Sequence, residues 1–195
     1  MPGRKRILGI DPGLRCTGWG VIDFNHGRLQ HIANGAIRPD PRAADADRLT
    51  AIYQGLLSVI ADTDPDIAAI EEIFVAKSAR SALRLGMARG VGILACGTAQ
   101  ILISEIAARA VKKAVVGTGG ASKEQVQEMV VRLLQVRAEN ADAADALAIA
   151  IAASNDAGKP AGIAVMSAHT TPDDPLSKAI SQALARDDAK HGGQK

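Results

Sequence analysis

Apolar residues change their spacing several times along the chain, and each change predicts an element. Residues 6–10, 17–23 and 29–37 are β-rich runs separated by Asp-Pro-Gly at 11–13 and Asn-His-Gly at 25–27, which predicts three strands in a meander. Beyond Asp40 and Pro41 the period lengthens. Leu49, Ile52, Leu56, Leu57 and Ile60 recur as one face of a helix of about five turns that ends before Asp64-Pro65-Asp66. The short apolar run 67–74, which carries Glu71 and Glu72, predicts a buried strand and completes a β-α-β unit. A helix over 78–96, a strand over 101–106 and a short helix over 108–115 follow. Gly117, Gly119 and Gly120 make a loop, Ser122 caps a helix reaching about Leu134, and a last helix begins near Asn140 and carries 142–153. This alternation predicts an α/β fold.

From Asp156 onward Gly, Pro, Ser, Thr and charge replace the periodic pattern. The chain is therefore expected to divide into a folded domain over 1–155 and a mobile tail over 156–195. In the tail only Leu176, Ile180 and Leu184 suggest a helix, too short to stand alone. A chain of 195 residues, 47% hydrophobic, can bury one substantial core, and with aromatics at 2% that core is aliphatic. The basic start meets Asp11 before a signal peptide's apolar region could form, and no run approaches the roughly 18 apolar residues of a membrane span, so a cytoplasmic location is expected. Cys16 and Cys96 lie 80 positions apart with no second ligand pair at zinc spacing, and read as reduced packing thiols. His26, His31, His169 and His191 are scattered and suggest no zinc site.

Acids inside apolar segments carry the chemical information, because an unpartnered buried carboxylate costs several kcal/mol. Asp11 ends the run 7–10 at a tight turn; Glu71 and Glu72 interrupt a strand and, by alternation, point to opposite faces; Asp142 and Asp145 share one face of an Ala- and Leu-rich helix. Taken singly, each has a plainer role open to it: Asp11 as a turn initiator, Asp142 as a first-turn acid, Glu72 as a solvated strand residue. Taken together, such acids on separate elements repel one another unless a cation sits between them. Hard divalent ions such as Mg²⁺ choose oxygen ligands, and a pair of them can drive an in-line phosphodiester displacement.

The net charge of +2 says little about a substrate. Its distribution says more: between residues 73 and 123, Lys77, Arg80, Arg84, Arg89, Arg109, Lys112, Lys113 and Lys123 face a single acid, Glu105. Lys77, Arg80 and Arg84 recur at helical spacing, a stripe able either to follow a phosphate backbone or simply to meet solvent. Phe74 reads as a core residue or, if exposed, as a base-stacking side chain.

Four blocks then resemble one family: ILGIDPGLRCTGWGVI at 7–22, AIEEIFVAKSARSALRLGMARGV at 69–91, VKKAVVGTGGASKEQVQEMV at 111–130 and ADAADALAIAIA at 141–152 are similar to the RuvC Holliday junction resolvases. The resemblance spans about 6–153. It implies a ribonuclease H-like fold with a mixed central sheet flanked by helices. It also implies a homodimer, Mg²⁺-dependent cleavage at symmetric positions of four-way junction DNA in recombination and repair, and a RuvA–RuvB branch-migration complex as partner. By position, the family's catalytic and metal-binding acids fall on Asp11, Glu71, Asp142 and Asp145, with Glu71 selected over Glu72 because it directly follows Ala69-Ile70. Two Mg²⁺ ions per site are implied, with Mn²⁺ as a substitute; Asp11 would bridge them and the other three acids complete the shells. The base-contacting aromatic falls on Phe74 and the DNA-contacting lysines on Lys112 and Lys123, with Lys113 beside them; Lys77, Arg80 and Arg84 join this expected DNA-binding set. One departure is visible at Ser104 and Ile106, where relatives carry an aromatic near Glu105. Two other classes fit parts of the pattern: GIDPG also resembles the phosphate-1 loop of sugar kinase and actin-type ATPases, and a junction-binding protein without catalysis would keep the lysines but have no need of four acids.

Overall fold

The computed structural model describes residues 3–72 and 79–155. The chain divides into units 1–165 and 166–195, and the described residues all belong to the first. Phe74 and Lys77, together with the expected tail over 156–195, lie outside the described residues.

Ten elements follow in the order β1 (Lys5–Asp11), β2 (Thr17–Asn25), β3 (Arg28–Ile37), α1 (Asp45–Thr63), β4 (Ile67–Glu71), α2 (Ala79–Thr98), β5 (Leu102–Ile106), α3 (Ala108–Val116), α4 (Lys123–Leu134) and α5 (Ala141–Ser154). The strands form one sheet in the order β3-β2-β1-β4-β5. The meander β1-β2-β3 is antiparallel, whereas β4 runs parallel to β1 and β5 parallel to β4. This is the mixed sheet flanked by helices that the sequence leads one to expect.

Strand alternation splits the core in two. Ile7, Ile22 and Ala69 face one side, where they pack with Val111, Val126, Val130 and the small residues of α5. Leu8, Ile10, Val21, Ala68 and Ile70 face the other, against Ile52 and Leu56 of α1 and Ala95 and Cys96 of α2. Helix α5 carries Asp142 and Asp145 near its start and is buried from Ala146 to Ser154, as expected of a helix enclosed by both sheet and neighbouring helices. Glycines let it lie close: a Cβ at Gly9 would collide with the carbonyl of Ala146, and one at Gly20 would stand 2.7 Å from Leu147 Cγ. With side chains at those two positions of the sheet, α5 could not reach it.

The expected strand ran to residue 74; β4 spans Ile67–Glu71, its pairing with β5 ends at Ile106, and residues 73 and 74 lie outside the described residues. Beyond Ile106 the neighbouring segment turns at Ala107, the N-cap of α3, so no strand remains to pair with. Glu72 adds one further bond of the ladder kind, its N–H donating to the Ile106 carbonyl at 3.0 Å. Helix α4 begins as predicted at Ser122, whose hydroxyl accepts from the Gln125 N–H while the Gln125 side chain accepts from the Ser122 N–H in a capping box.

Candidate active site

Parallel pairing places two acids side by side. Ile10 stands opposite Ile70 in the β1-β4 register, so the next residues, Asp11 and Glu71, both end their strands at the same carboxyl edge of the sheet. Such an edge is where open α/β sheets gather their ligands. Helix α5 begins over this edge. Asp11 pairs across the ladder with Gly18, and a Cβ on Gly18 would overlap the Asp142 carbonyl, so the glycine lets the first turn of α5 settle directly beside Asp11. The Asn140 side chain fixes that turn by accepting from the Ala143 N–H at 3.0 Å. Asp145, one turn further on, shares the inward face with Asp142.

Electrostatics register the convergence. Burial, and then the charges of Asp145, Glu71 and Asp142, push the Asp11 carboxyl up to about 7. Glu71 is also raised, first by burial and then by Asp145, with Lys123 and Lys112 opposing. The four acids named from the sequence therefore act on one another through space. Glu72 is exposed, whereas Glu71 is partly buried and lines the cleft.

That cleft encloses about 250 Å³ and is walled by Glu71 and Asp145 on the acidic side and by Lys112 and Lys123 on the basic side. Lys123 Nζ pairs with Asp145 Oδ2 at 2.5 Å, and Gln127 Nε2 donates to Asp145 Oδ1 at 3.4 Å. Because Lys123 is the first residue of α4, its backbone is held by the Ser122 capping box. Lys112 projects from α3 into the same cleft, but Lys113 is exposed and does not line it. Arg80 and Arg84 are exposed on the first turns of α2, Arg84 also lining a groove beside Asp142.

Three neighbours of the acids were read otherwise, or not at all, from the sequence. Arg89, counted there only as one of eight basic residues, donates from Nε to the Glu71 carbonyl at 3.3 Å and pairs through Nη2 with Glu105. Its charge thus serves the protein, steadying the end of β4. Cys16 was assigned to packing, yet its half-buried thiol hydrogen-bonds Asp142; burial first, then that bond, hold the thiol up to about 11, so it stays protonated. Gln127 carried no signal, since its role depends on α4 lying against α5.

The donor set suits a hard divalent cation: four carboxylates, two of them raised by burial and then by neighbouring acids, and no soft ligand among them. As they stand, no three or more His, Cys, Asp or Glu among the described residues are grouped so that they could hold a metal ion. The Lys123 ammonium instead supplies the positive charge at Asp145.

Residues 7–153 match the family model described as crossover junction endodeoxyribonuclease RuvC. Proteins of that name from Paramagnetospirillum magneticum and Erythrobacter litoralis are 53% and 51% identical, over 78% and 76% of this chain and 93% and 92% of theirs. The structure of T. thermophilus RuvC in complex with Holliday junction substrate superposes with a TM-score of 0.71 at 28% identity, covering 76% of this chain and 92% of that one. The yeast mitochondrial Holliday junction resolvase Ydc2, at 12% identity and a TM-score of 0.60, shares the fold. The chain has the ribonuclease H-like fold and belongs to the RuvC family of crossover junction endodeoxyribonucleases.

Proposed function

We propose that this protein resolves four-way DNA junctions by a symmetric pair of Mg²⁺-dependent nicks, with Asp11, Glu71, Asp142 and Asp145 as the acids that carry the reaction. Nucleases of this family are metal-dependent. The observation that carries the site assignment is the shared edge: Asp11 is raised by the other three acids, and a cation-lined cleft opens beside them. All four acids would hold the divalent ions, two per site, with Mn²⁺ able to replace Mg²⁺. When bound, those ions supply the charge that activates the attacking water and stabilises the leaving oxygen. Lys123 and Lys112 hold the phosphates of the cleaved strand, Arg89 and Cys16 position Glu71 and Asp142, and α5 keeps water out beneath the acids. Phe74, Lys77, Arg80, Arg84 and Lys113 complete the proposed DNA-contacting set.

Two nicks related by two-fold symmetry call for two copies of the site, hence a homodimer. Leu94 and Leu102, 59% and 47% exposed, give the α2 and β5 side an apolar surface suited to that second copy. No helix among the described residues is long and apolar enough to cross a membrane. A cytoplasmic location and a RuvA–RuvB branch-migration partner complete the reading.

The test is an end-labelled synthetic junction with a mobile core beside a matched linear duplex, each in Mg²⁺ and in EDTA. Paired symmetric nicks in the junction alone, and with Mg²⁺ alone, are expected. Tight junction binding without nicks under any divalent ion would favour a non-catalytic binder, and nicking of both substrates alike would remove the structural selectivity.

A further inference from the structure

A second groove, about 660 Å³, opens on the Asp142 side of the acids and shares no lining residue with the lysine cleft. Three guanidinium-bearing residues from three elements line it: Arg15 from the β1-β2 loop, Arg48 from α1 and Arg84 from the start of α2. Their position does not follow from the helical stripe, because Arg15 and Arg48 are far from Arg84 in sequence.

Arg48 is the informative one. Its side chain is only 9% exposed, Nη2 donates to the Leu14 carbonyl at 2.9 Å, and Nε has no hydrogen-bond partner among the described residues. A buried donor without an acceptor costs about 1–3 kcal/mol, and such a group in a folded protein calls for an explanation. Asp45 is shared loosely between Arg48 at 3.3 Å and the half-exposed Arg84 at 3.9 Å, so one carboxylate faces two cations and leaves positive charge over. Arg15 adds to it, exposed on the loop that follows Asp11. Among the described residues, the acid on the groove wall itself is Asp142.

We propose that this groove is a second phosphate subsite, in which the exposed Arg15 and Arg84, backed by the charge of the buried Arg48, hold a backbone phosphate of the cleaved strand on the flank of the acids away from Lys112 and Lys123. This rests on the nuclease reading above and adds to it a path for the strand: one flanking phosphate in the lysine cleft, the scissile one over the acids, another in the arginine groove. Clamping both flanks fixes the scissile phosphate in line, a source of rate that neither cleft supplies alone.

The exposed pair is the one to change, since Arg48 also holds the Leu14 loop. The double variant Arg15→Gln, Arg84→Gln is compared with the wild type by fluorescence anisotropy of a labelled four-way junction in EDTA across a salt series. The same junctions then carry a single neutral methylphosphonate at successive positions on either side of the scissile bond. The expected result is weaker junction binding and a shallower salt slope, by about 0.9 for each phosphate no longer neutralised. The defect should also disappear at one methylphosphonate position, on one flank only. An unchanged slope, or a defect indifferent to which phosphate is neutral, overturns the subsite. If the wild type binds but never nicks with any divalent ion, the resolvase reading fails while the slope and the methylphosphonate scan still decide the subsite.

Discussion

Asp11 titrates far from an ordinary carboxyl, and the direction of that shift sets how the metal-free protein responds to pH. Its pKa is raised to about 7 by burial and by the charges of Asp145, Glu71 and Asp142. The folded state therefore binds this proton more tightly than the unfolded chain does. The stabilisation is complete below the unfolded value of about 4 and is lost as pH rises through about 7. Melting curves in EDTA should show this as a fall in Tm between those limits. Asp11→Asn should flatten that fall and melt higher than wild type at pH 7.5, at roughly 2–4 °C per kcal/mol, while binding junctions and cutting none. A variant that still cuts would remove Asp11 from the site. Lys123 makes the complementary case, since its ammonium neutralises Asp145 at 2.5 Å. Lys123→Ala should tighten Mn²⁺ binding, followed by electron paramagnetic resonance, by up to about fivefold, the range of a partly exposed pair, yet slow junction cleavage. Weaker Mn²⁺ binding would mean that the lysine supports the metal ligands instead of competing for them.

At the scale of elements, the spacing of the four acids depends on how closely α5 approaches the sheet. Gly18 abuts the Asp142 backbone and pairs with Asp11 in the ladder. Gly18→Ala must push the first turn of α5 outward, at about 1–3 kcal/mol for overpacking. Because the displaced residue is Asp142, the loss of cleavage should exceed the loss of stability. Equal losses, read from chemical denaturation beside the nicking assay, would make this glycine a packing residue only. Ser122→Ala tests the other support, α4. Losing the capping box should cost about 1 kcal/mol and loosen Lys123 at the head of the helix. The sequence marked Ser122 as a cap because a hydroxyl before a helical pattern is a local signal. It did not mark Gly18, since a missing Cβ acquires meaning only when another element presses on it.

For the whole molecule, the proposed second copy would seat on the side that exposes Leu94 and Leu102. Leu94→Glu should give a monomer by light scattering, able to bind a junction but unable to place two symmetric nicks; an unchanged dimer would move the interface elsewhere. Much of the molecule is already determined by the linear chain. Helix and strand periods, the turns at 11–13, 25–27 and 64–66, and the caps at Ser122 and Asn140 act over a few residues, and the ten elements appear in the predicted order. The same local logic exposes Asp11, Glu71, Asp142 and Asp145 as acids out of place in apolar segments. Alternation could not choose between Glu71 and Glu72, a choice the block match made; in the fold Glu71 ends its strand beside Asp11. Only tertiary structure decided that Arg89 holds the Glu71 carbonyl, that Cys16 bonds Asp142, and that Arg15, Arg48 and Arg84 share a groove. Period and propensity are properties of neighbours in sequence. Charge pairing, burial and close approach are properties of neighbours in space, and those exist only once the sheet has brought distant segments together.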